Sequence, residues 1–215
     1  MPIEVELKLR ALDERPLLEL EVARSLGPAL LGPATTFEEI DRYLDTADER
    51  LAAARWACRL RKRRERSIVS LKGPREPAAQ DGAALHRRPE VEGPATDDAD
   101  PAAWPPSEAR EFLARLSGGA PVSEYLRLHQ RRTERAVLRD GARLATLSLD
   151  RVRVERGDRT LGGLFAVELE HAGGEERLLD EVAAALSAWR GLAPDHGTKL
   201  EHALYLADAA DRPAP

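Results

Sequence analysis

Residues 3–10 read Ile-Glu-Val-Glu-Leu-Lys-Leu-Arg, a strict alternation of apolar and charged side chains over eight positions. Successive side chains of a strand point to opposite faces, so this segment is a strand with one apolar face and one face charged along its whole length. The pattern recurs. A strand over 55–65 puts Arg55, Arg59, Arg61 and Arg63 in one phase, and a strand over about 163–171 does the same for Glu168 and Glu170. Such strands fit two architectures. Their charged faces can be the solvated side of a half-exposed sheet, or they can turn inward in a closed barrel of about eight strands that holds a small polar ligand.

The rest of the chain supplies the strands for either. A helix follows the first strand, with Asp13 placed to cap it, Leu17, Leu18, Leu20 and Val22 along one side, and Gly27 to end it. Strands are expected over 35–46, 67–72, 84–92, 123–139 and 142–156, with a hairpin turn at Asp140-Gly141. One helical turn fits 48–54, and helices fit 107–117, 175–190 and about 198–208. Pro89 marks 84–92 as an edge or bulged strand. The Pro-, Gly-, Ala- and Asp-rich stretches 73–83 and 93–106 are expected to be irregular loops, the second hanging in solvent rather than covering a site. Connections are short, so the sheet should be largely antiparallel. The expected whole is one α+β domain over 1–215.

Composition narrows the function. Thirty-three Lys and Arg stand against 38 Asp and Glu, a net charge of -5. That acidity disfavours a duplex nucleic-acid partner, even for the basic run Arg59–Arg66. The single cysteine, Cys58, excludes a disulfide framework and a Cys-ligated zinc cluster, and suits a strand position better than a nucleophile. The five histidines form no metal pattern; His196 and His202 are six apart, off helical register. No apolar run nears the roughly 20 residues of a membrane helix, so no membrane partner is expected. With no signal-peptide pattern at the start, the expected setting is cytoplasmic.

A polar barrel wall carrying both carboxylates and guanidinium groups suits a metal-bound polyanion. Carboxylate oxygens hold hard divalent cations, while Arg and Lys hold phosphate oxygens. At this point the residues resemble a known family. Glu4-Val-Glu-Leu-Lys8 resembles the ExExK signature of the CYTH superfamily, the triphosphate tunnel metalloenzymes. Tyr43-Leu-Asp45-Thr46, Arg59-Leu-Arg61, Leu71-Lys72-Gly-Pro, Arg88-Pro-Glu90-Val-Glu92, Arg132, Asp150, Glu168-Leu-Glu170 and Gly197-Thr198-Lys199-Leu are similar to its further motifs, in family order.

The resemblance implies a closed eight-stranded antiparallel tunnel with flanking helices. It implies a metal set of Glu4, Glu6, Asp150, Glu168 and Glu170 for Mg²⁺ or Mn²⁺, and a phosphate set of Lys8, Arg59, Arg61, Lys72, Arg132 and Lys199. Glu4, Glu6, Lys8 and Lys72 carry the expected catalytic roles, with Arg88, Glu90 and Glu92 as further candidates. Arg63, Arg64 and Arg66 lie beyond the motif and are expected in solvent. Where relatives often carry another acid shortly before the Asp150 position, this chain has Ala145-Thr-Leu-Ser148. The expected partner is a small triphosphate, and inorganic tripolyphosphate fits a chain with only 4% aromatic residues. Thiamine triphosphate, favoured by Trp56 beside the R-x-R strand, and cyclisation of ATP are the enzymatic alternatives. A polyphosphate- or nucleotide-binding module is the non-enzymatic one. Family members are often dimers, which leaves a homodimer open.

Overall fold

The computed structural model describes residues 3–74, 85–172 and 176–212, with the side chains of residues 3, 4, 85, 86 and 176–178 outside the description. In chain order the elements are β1 (Ile3–Ala11), α1 (Arg15–Val22), β2 (Ser25–Leu26), β3 (Ala29–Leu31), β4 (Thr35–Thr46), α2 (Arg50–Ala53), β5 (Ala57–Arg63), β6 (Arg66–Lys72) and β7 (Leu85–Ala95). After a 3₁₀ turn at Pro101–Ala103 come α3 (Glu108–Ser117), β8 (Val122–Arg139), β9 (Ala142–Arg156), β10 (Arg159–His171), α4 (Glu176–Ser187), β11 (Leu192–Pro194) and α5 (Lys199–Asp211).

Eight strands form a closed antiparallel ring, in the order β8-β4-β5-β6-β7-β1-β10-β9 and back to β8. The charged faces turn inward. Around the outside, Leu7 and Leu9 of β1, Leu147 and Leu149 of β9, and Val167 and Leu169 of β10 pack under α1 and α4. On the opposite flank Cys58, Leu60, Val69, Leu71 and Val91 pack under α2, α3 and Trp104. The usual order of a small barrel is thus reversed: apolar residues make the outer layer beneath helices, and each fully buried Leu there stabilises by about 1.5–3 kcal/mol. Burial pushes the Cys58 thiol up to about 12, consistent with an inert packing role.

One end of the interior is apolar. Tyr43, Leu126, Leu128, Val152 and Val154 share the inward phase of Asp41, Arg132 and Asp150, and Ala203 and Ala207 of α5 pack against them. The last helix therefore covers one mouth of the ring. Among the described residues no helix is long and apolar enough to cross a membrane.

Three expectations change. Pro89 does not make β7 an edge. Residues 85–89 pair with β1 and residues 90–95 with β6, so the proline sits at the handover between neighbours. Segment 93–106 does not hang free: 93–95 continue β7, and Asp97 binds Lys62 and Ser67. Trp104, 2% exposed, joins the outer core and donates its indole N–H to the Asp98 carbonyl. Of stretch 73–83, residues 75–83 lie outside the described residues. Finally, α1 ends at Ala23, and Gly27 serves instead the tight turn between β2 and β3 at φ 56°.

Candidate active site

The interior holds a cavity of about 610 Å³. Its described lining carries ten Arg and Lys side chains against nine Asp and Glu, a surplus of one positive charge. Inside a barrel buried charges persist only when paired, and the buried ones described below are paired.

On β1 and β10 the register sets Glu6 opposite Glu170 and Lys8 opposite Glu168. The Lys8 ammonium lies 2.9 Å from Glu6 and 3.3 Å from Glu168. Burial disfavours its charge, but the two carboxylates outweigh burial and raise its pKa. Glu168 also accepts from Lys199 at 2.7 Å and Arg132 at 2.9 Å. Burial would raise its carboxyl, yet Lys199, Lys8 and Arg132 hold it well below the usual range. Arg88 reaches Glu6 at 3.1 Å. Glu4 is opposite Arg88 in the β1–β7 register, and its side chain lies outside the described residues.

On β5, β6 and β7, Arg59 donates to the Ser70 hydroxyl, which donates to Glu92 at 2.6 Å, and Lys72 pairs with Glu90 at 2.9 Å. Arg61 grips Asp41 by two bonds of 2.6 and 2.7 Å. On β8, Arg132 faces in and Arg131 faces out. Arg132 grips Asp150, whose second oxygen also meets Lys199 at 2.6 Å. Asp150 is 0% exposed and stands behind Arg132 and Lys199, outside the cavity lining. Glu6, Lys8, Arg59, Arg61, Lys72, Arg88, Glu90, Glu92, Arg132, Glu168, Glu170 and Lys199 all line one cavity.

Lys199 owes its position to the start of α5. Thr198 caps the helix and accepts from the Glu201 N–H at 3.1 Å, while Glu201 accepts from the Thr198 N–H at 2.6 Å. The preceding turn is tied to β1, since the Asp195 N–H donates to the Lys8 carbonyl. His202 holds Asp195 at 2.7 Å, and a Cβ on Gly197 would come within 2.7 Å of that imidazole.

Several residues read differently in three dimensions. Asp45 of the Tyr-Leu-Asp-Thr segment accepts backbone N–H bonds from Thr46, Leu51 and Ala52, turning β4 into α2, so it builds the wall rather than the site. Arg63 is only partly in solvent, its side chain 40% exposed. It lines the cavity, stacks 3.4 Å above the Phe37 ring and pairs with Glu134 at 3.1 Å. Arg64 and Arg66 are exposed as expected, although Arg66 also borders the cavity. Glu39 and Asp41, both 1% exposed, are cavity carboxylates missing from the expected set. Their phase with Tyr43 on β4 was the available signal.

The donor set suits a hard divalent cation, because Glu6, Glu168 and Glu170 offer only carboxylate oxygens. Among the described residues no three such groups converge as a ready metal cage; Lys8, Arg88, Arg132 and Lys199 hold Glu6 and Glu168.

The CYTH domain family matches residues 2–204. No curated protein matches the chain in sequence. Among solved structures, a Hippeastrum protein, provisionally named an adenylyl cyclase and described as having a dominant triphosphatase activity, is 18% identical with a TM-score of 0.64, covering 94% of this chain and 95% of its own. A Bacillus halodurans protein provisionally named an adenylate cyclase is 17% identical with a TM-score of 0.60, covering 94% and 98%. The Mimivirus capping enzyme triphosphatase is 10% identical with a TM-score of 0.51, covering 87% and 89%. All three share the fold.

Proposed function

This chain belongs to the CYTH family, and from that premise we propose that it hydrolyses inorganic tripolyphosphate to pyrophosphate and phosphate with Mg²⁺ or Mn²⁺. One observation carries the reading: a cavity of about 610 Å³ lined almost evenly by cationic and carboxylate side chains. A small polyanion accompanied by divalent cations matches that balance, and neither ion alone does.

Glu6, Glu168 and Glu170 would hold the metal, with Glu4 beside them on β1 and Asp150 behind. When bound, the metal supplies charge neutralisation on the phosphate oxygens. Arg59, Arg61, Lys72, Arg132 and Lys199 grip non-bridging oxygens and stabilise the charge that grows on the leaving pyrophosphate. Lys8, fixed between Glu6 and Glu168, keeps the ammonium form that such a contact needs. The chemistry uses no covalent side-chain nucleophile.

Trp56 supports a second reading. It lines the cavity edge-on to Phe112 at 4.6 Å, and Tyr125, Leu200 and Leu204 line the cavity too. The ring of an organic triphosphate such as thiamine triphosphate would find an apolar seat there.

Phosphate release from tripolyphosphate, ATP and thiamine triphosphate, each with Mg²⁺, Mn²⁺ or EDTA and with cyclic AMP measured alongside, separates the readings. Metal-dependent release favouring tripolyphosphate is the expected result. Preference for thiamine triphosphate would favour the second reading. Tight polyphosphate binding without turnover of any substrate would make the cavity a receptor and overturn both.

A further inference from the structure

Glu39 stands midway along β4 with its side chain 1% exposed, and neither carboxylate oxygen accepts a hydrogen bond. Three guanidinium groups surround it, Arg61 at 3.4 Å, Arg63 at 3.7 Å and Arg132 at 3.7 Å. Each commits its well-directed N–H groups elsewhere: Arg61 to Asp41, Arg63 to Glu134, and Arg132 to Asp150 and Glu168. The ion pairs retain the charge of Glu39 but leave its lone pairs empty, a costly condition for a buried carboxylate. Glu39 nonetheless lines the cavity.

The chemistry of the surroundings limits what can satisfy those oxygens. A phosphate oxygen is an anion and is repelled. A divalent cation would sit against three guanidinium groups. A neutral group with a proton to donate suffers neither conflict, and water is the smallest such group.

We propose that Glu39 orients the attacking water and takes its proton, an assignment that rests on the triphosphatase reading above. The water oxygen bonds to the terminal phosphorus, and the bond from that phosphorus to the bridging oxygen breaks. The proton released passes to a Glu39 carboxylate oxygen and then to solvent. The leaving pyrophosphate keeps the electron pair, its charge met by the Arg and Lys groups. Glu39 shares the Arg132 guanidinium with Asp150 and Glu168, at 3.7, 2.7 and 2.9 Å.

The competing role is that of a plain anchor for three arginines. Glu39→Gln separates the two, because it keeps shape and removes charge. Initial rates on tripolyphosphate are measured together with inhibition by pyrophosphate. The expected result is a kcat lower by about 10²–10⁴-fold, with KM and the pyrophosphate inhibition constant unchanged or lower, since a negative charge has left an anion site. An unchanged kcat would overturn the assignment. So would a pyrophosphate constant that weakens in step with kcat, which marks displaced arginines. Glu39→Asp keeps the charge but withdraws it by one methylene. It is expected to fold and to lose kcat without losing pyrophosphate binding, and full activity in that variant overturns the assignment even if the Gln variant fails to fold. A wild-type protein that leaves tripolyphosphate intact would sink the parent reading, and this one with it.

Discussion

Arg132 and Asp150 face each other across β8 and β9, joined by two parallel bonds of 2.7 Å, with Asp150 0% exposed. Only Arg61–Asp41 is a comparably short two-bond pair among the described cavity residues, and Arg132 also reaches Glu168 on β10 at 2.9 Å.

Arg132→Met should leave Asp150 with Lys199 alone and destabilise the protein by about 3–5 kcal/mol in urea unfolding. The double variant Arg132→Met, Asp150→Leu should recover most of that stability while turnover stays lost. Equal loss in both would mean that the pair is an indispensable packing unit.

Glu6→Ala and Glu168→Ala should each lower kcat by about 10²–10³-fold and abolish the response of rate to Mn²⁺ concentration. Phosphate release against metal concentration checks this. A normal metal response in both variants contradicts the assignment of these carboxylates.

Thermal stability should plateau near neutrality and fall on both sides. Although burial alone would raise them, Asp41, Asp150 and Glu168 have carboxyls held below their ordinary values of 3.8, 3.8 and 4.5 by neighbouring Arg and Lys groups. As pH falls the unfolded chain takes up these protons first, so stability is complete above about pH 5 and drains away below about pH 4. Burial, with Asp41 nearby, pushes the Tyr43 hydroxyl up from 10.0 to about 12, and Lys8 is also raised. Above pH 10 the unfolded chain loses those protons first, and stability falls again. Asp41→Asn should flatten the acid limb of a Tm–pH curve; an unchanged limb would count against a stabilising Asp41–Arg61 pair.

Trp104→Ala should destabilise by about 3–5 kcal/mol with kcat unchanged, since Trp104 packs on the outer layer and does not line the cavity. A Tm equal to wild type would show that segment 93–106 contributes no anchoring.

Most of the ring was legible because alternation is a local signal. In β1 every second residue from Glu4 to Arg10 is charged, and in β5 Arg59, Arg61 and Arg63 share one phase; the register then fixes which face turns inward. In β4 the signal was blurred. Phe37, Glu39, Asp41 and Tyr43 share the inward phase, so bulky apolar residues flank the carboxylates along one face. The apolar positions Phe37, Ile40 and Tyr43 therefore fall three apart and hide the period of two that would single out Glu39 and Asp41. Pro89 misled for a different reason. A missing N–H is harmful only where a neighbour needs it, and partner choice along β7 is decided by strands distant in sequence. Arg63 shares the phase of Arg59 and Arg61, but nothing local announces that Phe37 lies under it and Glu134 beside it.

The ring closes by pairing β1 with β10, which brings Glu6 opposite Glu170. A chain emerging from the ribosome therefore makes β1 before any other ring strand and must hold it without its closing partner until all the other ring strands exist. Until then both the apolar outer face and the charged inner face of β1 lack part of their cover. Joining segments so far apart has a large loop-closure entropy and predicts slow folding for a chain of this size. α5, which covers one mouth, is synthesised after every ring strand. Closure of the tunnel is then among the last events of folding, and the growing chain passes through a stage in which its paired charges stand open to water.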